Sequence, residues 1–172
     1  MIKHLINEDK LSIELIKEIH SDLTDRLRHD EGFFKKNENM IIGAEFQTPS
    51  PAETLMLISQ LIDNLNYRLE RAETKGDNLK SILDTPIQFE RIHPLSDGNG
   101  RNGRMIMSYS LLKEGFPPLI IEKETKGQYV ELLATQDVDS FLFFAKSILN
   151  KENKRMVAFQ NMDQEKIKEN EE

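Results

Sequence analysis

The 172-residue chain has no cysteine, so neither a disulfide framework nor a thiolate metal site is available to it. That composition is compatible with a reducing compartment. No apolar run approaches the ~20 residues that a membrane-spanning helix needs. The first residues, Met1-Ile2-Lys3-His4, bring in charge too early for a secretory signal. The expectation is therefore a cytoplasmic protein without direct membrane contact. Positive charge is also short: 23 Lys and Arg stand against 30 Asp and Glu, for a net charge of −7. A nucleic-acid binder ordinarily shows the opposite excess, so no direct nucleic-acid partner is expected. Glycine is sparse as well, eight in all, yet three of the eight fall between residues 98 and 103.

The remaining residues read as a soluble, mostly helical domain with a real core. Leu11, Ile13, Leu15, Ile16, Ile19, Leu23 and Leu27 form an apolar stripe at helical spacing, ended by Glu31-Gly32. Residues Ile41 to Phe46 are the best extended segment, closed by Thr48-Pro49-Ser50-Pro51. Ser50, Pro51 and Glu53 spell a helix start, and the helix runs on through Leu69. Lys75-Gly76-Asp77-Asn78 reads as a loop. Pro86, flanked by Thr85 and Gln88, either starts a helix or kinks one already under way. His93-Pro94 ends that helix. A new helix follows Gly100 and stops at Gly115. A short helix carries Tyr129, Leu132 and Leu133. A last apolar helix carries Val138, Phe141, Phe143, Phe144, Ile148 and Leu149, the three phenylalanines being read as core. Beyond Lys151 the chain turns polar.

Chemical density is concentrated in His93-Pro94-Leu95-Ser96-Asp97-Gly98-Asn99-Gly100-Arg101-Asn102-Gly103-Arg104. A glycine-rich turn opening a helix is a ready anion site, because its free N–H groups point outward and the helix dipole favours negative charge. Arg101 and Arg104, three residues apart, share a helix face, and their planar forks suit phosphate oxygens. Asp97 is a hard oxygen ligand of the kind that holds Mg2+ beside a nucleotide. His93 can be neutral at pH 7 and take a proton from an attacking hydroxyl. Gly98, Gly100 and Gly103 also match the dinucleotide fingerprint literally, but that motif should follow a buried strand, and the preceding segment carries Glu90 and Arg91 after a helix start. A Walker-type loop is absent, because no Gly-Lys-Ser/Thr follows the glycines.

Residues 93–104 resemble the signature of the Fic family, HPFx(D/E)GNGRxxR. The flanks resemble it too, in Ile42-Gly43 with Phe46, in the Pro51 helix and in Tyr129-Val130-Glu131-Leu132. The likeness covers about residues 11–150. It implies an all-α fold, a single Fic-type helical domain over residues 1–153 with a short β-hairpin flap, then a polar C-terminal tail over 154–172. It also implies a protein adenylyltransferase that moves AMP from Mg-ATP to a Ser, Thr or Tyr hydroxyl of a target protein. His93 would be the general base. Asp97 would hold Mg2+. Gly98, Asn99 and Gly100 would form the phosphate nest, and Arg101 and Arg104 would neutralise phosphate charge. Ile41, Ile42, Gly43, Ala44, Glu45, Phe46 and Gln47 would be the flap that docks the target by β-augmentation. One departure is Leu95, where the family has Phe; Leu still supplies an apolar side chain to bury.

Many Fic proteins carry an inhibitory (S/T)xxxE(G/N) helix. Ser110-Leu111-Leu112-Lys113-Glu114-Gly115 matches literally, but Glu114 lies about 15 Å along the helix from Arg104 at 1.5 Å per residue. A separate inhibitory antitoxin chain or self-association remains open as a source of control. De-AMPylation, transfer of another nucleotide or phosphate group, and a non-catalytic nucleotide-binding regulator are the alternatives to AMP transfer. His4, His20 and His29 have no partner pattern and read as structural or exposed.

Overall fold

A computed structural model describes residues 2–7, 9–24, 32–41 and 46–169. Among them the architecture is all-α, in order α1 (Ile2–Ile6), α2 (Ile13–Thr24), α3 (Pro51–Glu70), α4 (Lys75–Ile92), α5 (Asn99–Lys113), α6 (Lys126–Thr135) and α7 (Val138–Glu169). No strand occurs among the described residues.

Helix α4 is the axle of the molecule, packed against α3, α5, α6 and α7. Its sequence explains this. Leu79, Ile82, Leu83, Pro86, Ile87, Phe89 and Ile92 are all buried, and they cover more of the helix than one stripe. The buried hydroxyls among them turn back on their own helix, Ser81 to the Asp77 carbonyl and Thr85 to the Ser81 carbonyl. Pro86 does not start a helix; it lies inside one already under way.

That helix starts earlier than the sequence suggests. Residues 75–78 are its first turn, not a loop. Thr74 caps it: its hydroxyl oxygen accepts from the Asp77 N–H at 3.1 Å, while the Asp77 carboxylate accepts from the Thr74 N–H at 3.0 Å. Two of the orphan donors of a helix start are thereby satisfied, which offsets the cost of about 1 kcal/mol for Gly76 in the first turn. The start of α3 agrees with the sequence, with Glu53 accepting from the Ser50 N–H at 3.0 Å. Helix α5 ends as Gly115 predicts. Gly115 adopts φ 74° and bonds the Leu112 carbonyl, and Phe116 bonds the Leu111 carbonyl at 2.8 Å, the doubly bonded glycine end of a helix.

The last helix, α7, runs through the polar residues to Glu169. One expectation on it needs correcting. Phe143 is not core: it is 82% exposed, whereas Phe141, Phe144 and Ala145 are buried. Two residues along a helix turn a side chain about 200° away, so Phe141 and Phe143 cannot face the same way.

Candidate functional site

The site is built where α4 hands over to α5. Helix α4 ends with His93 in the left-handed region, φ 47° and ψ 58°, its N–H bonded to the Phe89 carbonyl at 2.9 Å. A non-glycine residue there costs on the order of 1–2 kcal/mol, so something must hold it. A strap from the segment before α3 does so. Asn39 Nδ2 donates to the carbonyls of His93 and Leu95, both at 3.0 Å. The buried Lys35 donates through Nζ to the Ile92 carbonyl at 3.2 Å and to Asn39 Oδ1 at 2.8 Å, and its backbone N–H bonds the Pro94 carbonyl. Burial lowers the Lys35 ammonium below its ordinary value. Thr48 completes the strap by donating to the Asn39 carbonyl at 2.7 Å.

The turn after His93 is closed from inside. Leu95 is fully buried, so the smaller side chain at this position still fills the core beneath the turn. Asn99 grips it from both sides, accepting the Leu95 N–H at 2.9 Å and donating to the Leu95 carbonyl at 2.8 Å. The Asn99 side chain therefore faces the loop, and only its backbone is left for an anion. Gly98 takes φ 75° as the N-cap of α5, a conformation that a side chain would strain. The first turn of α5 then presents its free N–H groups.

Around that turn sit the charged groups. Arg101 Nη2 lies 3.7 Å from Asp97 Oδ2, both half-exposed. The glycine at 98 leaves room for the Arg101 guanidinium, which a Cβ there would meet at 3.4 Å. A Cβ on Gly100 would fall 3.1 Å from Glu90 Oε1 and 3.5 Å from Arg104 Nη1, so Glu90, Gly100 and Arg104 converge on one place. Glu90 Oε2 is 3.2 Å from His93 Nδ1. Tyr129 of α6 stands behind them, buried and edge-on to Phe141 at 5.7 Å. Burial pushes its hydroxyl well above the ordinary value; the Arg104 charge opposes this and Glu90 adds to it. Tyr129 thus stays a neutral wall.

The structure brings His93, Asp97, Gly98, Asn99, Gly100, Arg101 and Arg104 onto one short arc between α4 and α5. Of the flap, Ile42, Gly43, Ala44 and Glu45 lie outside the described residues, while Ile41, Phe46 and Gln47 are described and form no strand. Phe46 is tied to the site-bearing helix, with the Arg91 guanidinium 4.8 Å from its ring centroid. Glu114 of the literal inhibitory match points elsewhere, accepting from Asn78 Nδ2 at 3.0 Å near the start of α4. His4 and His20 are structural: His4 bridges Asp9 and Glu18, and His20 Nδ1 accepts the Gly32 N–H at 3.2 Å. His29 lies outside the described residues. Sequence reasoning missed Lys35, Asn39 and Glu90. Glu90 had a signal, since i and i+3 on a helix are neighbours. The strap had none, because it closes over more than 50 residues of chain.

No group of three or more His, Cys, Asp or Glu positioned to hold a metal occurs among the described residues. Asp97 alone suits an ion that takes most of its ligands from phosphate and water, as Mg2+ does beside nucleotides, and not an all-protein cage.

A family model described as the Fic/DOC family matches residues 10–111. The protein adenylyltransferase Fic of Culex quinquefasciatus is 29% identical over 138 residues, which cover 75% of this chain and 25% of that protein. The protein adenylyltransferase fic-1 of Caenorhabditis elegans is 24% identical over 140 residues, with 81% and 27% covered. The chain thus spans about a quarter of the length of these curated relatives. Among solved structures, a Fic domain containing signaling protein from Bacteroides thetaiotaomicron superposes with TM-score 0.75 at 22% identity, over 87% of this chain and 63% of that one. BepC from Bartonella tribocorum, solved with bound AMPPNP, gives TM-score 0.64 at 16% identity, over 86% and 81%. These two likenesses are of fold.

Proposed function

Because the chain belongs to the Fic/DOC family, we propose that it is a protein adenylyltransferase that moves AMP from ATP to a hydroxyl side chain of another protein. Relatives carrying that name, and a neighbour of the same fold with an ATP analogue bound, support the reading. The observation that carries it is the juxtaposition of a base with an anion site. His93 is held in a left-handed turn six residues before Asn99, where the N-terminus of α5 opens between Gly98 and Gly100.

The chemistry follows from that placement. The triphosphate lies against the N–H groups of the first turn of α5, where the helix dipole and the Arg101 and Arg104 guanidiniums offset its charge. His93 takes the proton from the target hydroxyl. The oxygen forms a bond to the α-phosphorus, the bond from that phosphorus to the bridging oxygen breaks, and pyrophosphate leaves with the electron pair. Arg101 and Arg104 act where charge grows on the leaving group. Asp97 would hold Mg2+, which supplies further charge neutralisation beside the phosphates. Arg101 leaves Asp97 to reach the phosphates, an exchange that a half-exposed ion pair at 3.7 Å allows at little cost. The target chain lies along residues 41–47.

The test is incubation with Mg2+ and α-labelled ATP, alone and with a cell lysate, beside His93→Ala. Label on protein that requires His93, with nucleotide binding retained in the variant, is the expected result. Label that persists in His93→Ala, or a variant that no longer binds ATP, sinks the assignment of the base.

A further inference from the structure

Glu90 is the one charged group at the site that the reaction above leaves without a task. Its position is odd for a bystander. A carboxylate beside an anion site repels the nucleotide, yet Glu90 and His93 are each only about one-fifth exposed, and Glu90 Oε2 stands 3.2 Å from His93 Nδ1. That nitrogen is buried and has no aligned hydrogen-bond partner among the described residues. Among the described residues, His93 is the only ion-pair partner of Glu90. The second carboxylate oxygen rests where a side chain at residue 100 would be, so the glycine there makes space for it as well as for phosphate.

The two residues are one helical turn apart, but His93 has left the helix, and its left-handed backbone turns the ring. Neutral imidazole carries its proton on one nitrogen only, and the group beside the other nitrogen decides which. A carboxylate beside Nδ1 favours the proton there and leaves the lone pair on Nε2.

We propose that Glu90 is the positioning residue of the base: it accepts the Nδ1–H of His93, aims the basic Nε2 outward, and stabilises the imidazolium that forms when Nε2 takes the target hydroxyl's proton. A small rotation of the carboxylate aligns the bond from its present 3.2 Å. No atom of Glu90 is transferred, and the proton remains on Nε2 until solvent removes it. Arg104 Nη1 and Glu90 Oε1 both lie beside the position a Cβ on Gly100 would take, at 3.5 and 3.1 Å from it, so a cation stands near the carboxylate at the edge of the anion site.

The inference rests on the adenylyl-transfer reading for its kinetic arm, but not for its spectroscopic one. The whole chain, labelled with 15N-histidine, is compared with Glu90→Gln and Glu90→Ala by long-range proton–nitrogen correlation at neutral pH. Four histidines are present, and His93→Ala identifies the signal in question. The wild type should show His93 protonated on Nδ1, and Glu90→Ala should move protonation toward Nε2. In transfer assays kcat should fall in the order wild type, Gln, Ala, by between about 10- and 10,000-fold, the range that loss of an orienting carboxylate spans. The KM for ATP should stay within about threefold, and thermal melts of the Gln variant should match the wild type.

An Nε2-protonated His93 in the wild type, or a tautomer unchanged in both variants, overturns the proposal. So does a rise in KM for ATP at constant kcat, which would make Glu90 part of the phosphate site. If the wild type transfers no AMP, the functional reading fails by itself, and the spectra alone decide the role of Glu90.

Discussion

Asn99 shows how a single side chain can make a reactive loop rigid. Its amide spans Leu95 from N–H to carbonyl, in a place where neither group reaches water. Asn99→Ala leaves the Leu95 N–H without a partner, while the Leu95 carbonyl keeps Asn39. A buried unpaired donor costs about 1–3 kcal/mol. Denaturant unfolding should therefore show a lower midpoint at an unchanged slope; an unchanged midpoint would mean that the loop finds another partner. Asp97 makes a different prediction, because its carboxylate is half-exposed and paired with Arg101. Asp97→Ala removes the oxygen ligand and releases the guanidinium. Nucleotide affinity should fall when Mg2+ is present and hold or rise when EDTA is present. Titration calorimetry in both buffers separates the two, and an unchanged Mg2+ dependence would remove Asp97 from the metal site.

At the scale of elements, the side-chain bridge that ties α1 to α2 should depend on pH. The His4 imidazole bridges Glu18 at 2.9 Å and Asp9 at 2.7 Å. The Glu18 hydrogen bond, then that of Asp9, raise its pKa above the ordinary 6.5. A base raised in the folded state stabilises fully below its unfolded value and loses that contribution as pH rises through the folded one. Glu18 is lowered from 4.5 by the same contact first and by Lys3 second, so its share is present above 4.5 and lost on acidification. The bridge is therefore complete between about pH 4.5 and 6.5. The stability difference between wild type and His4→Ala should shrink from pH 6 to pH 9 in parallel melts; a constant difference would mean that His4 acts by packing alone. The α4–α5 contact makes a second prediction. A Cβ on Gly103 would meet the Phe89 ring at 3.5 Å and Pro86 at 3.9 Å, ordinary contact distances. Gly103→Ala should stabilise the domain by up to about 1 kcal/mol through helix propensity, while Gly103→Leu should destabilise it by overpacking. Equal losses in both would show an interface tighter than these distances.

Across the whole molecule, what the sequence disclosed was written in neighbouring residues. Ser50, Pro51 and Glu53 announce α3, and the glycines and arginines of 98–104 announce an anion site, because caps and anion turns are local devices. The start of α4 was concealed by the same logic: Gly76 and Asn78 imitate a loop, and only the reciprocal Thr74–Asp77 bonds reveal a cap. The Lys35–Asn39 strap could not be read at all, since its bond from Lys35 to Ile92 joins residues 57 apart. The far end of α7 was not legible as helix either, for the polarity of the sequence beyond Lys151 says nothing of backbone conformation. Its inward face is Phe141, Phe144, Ala145 and Leu149, and the last buried side chain among the described residues is Glu152, paired with Arg155 at 2.9 Å. Met156, Val157 and Phe159 are exposed. A stop after Arg155 spares every described buried side chain of α7, and the melting temperature should move by only a few degrees. A stop after Ile148 removes Leu149 and the Glu152–Arg155 pair, and the domain should lose about 2 kcal/mol or more. Circular dichroism melts of both truncations at two protein concentrations decide the matter. A large loss from the longer truncation, growing with concentration, would show that the distal half of α7 is buried against a second copy.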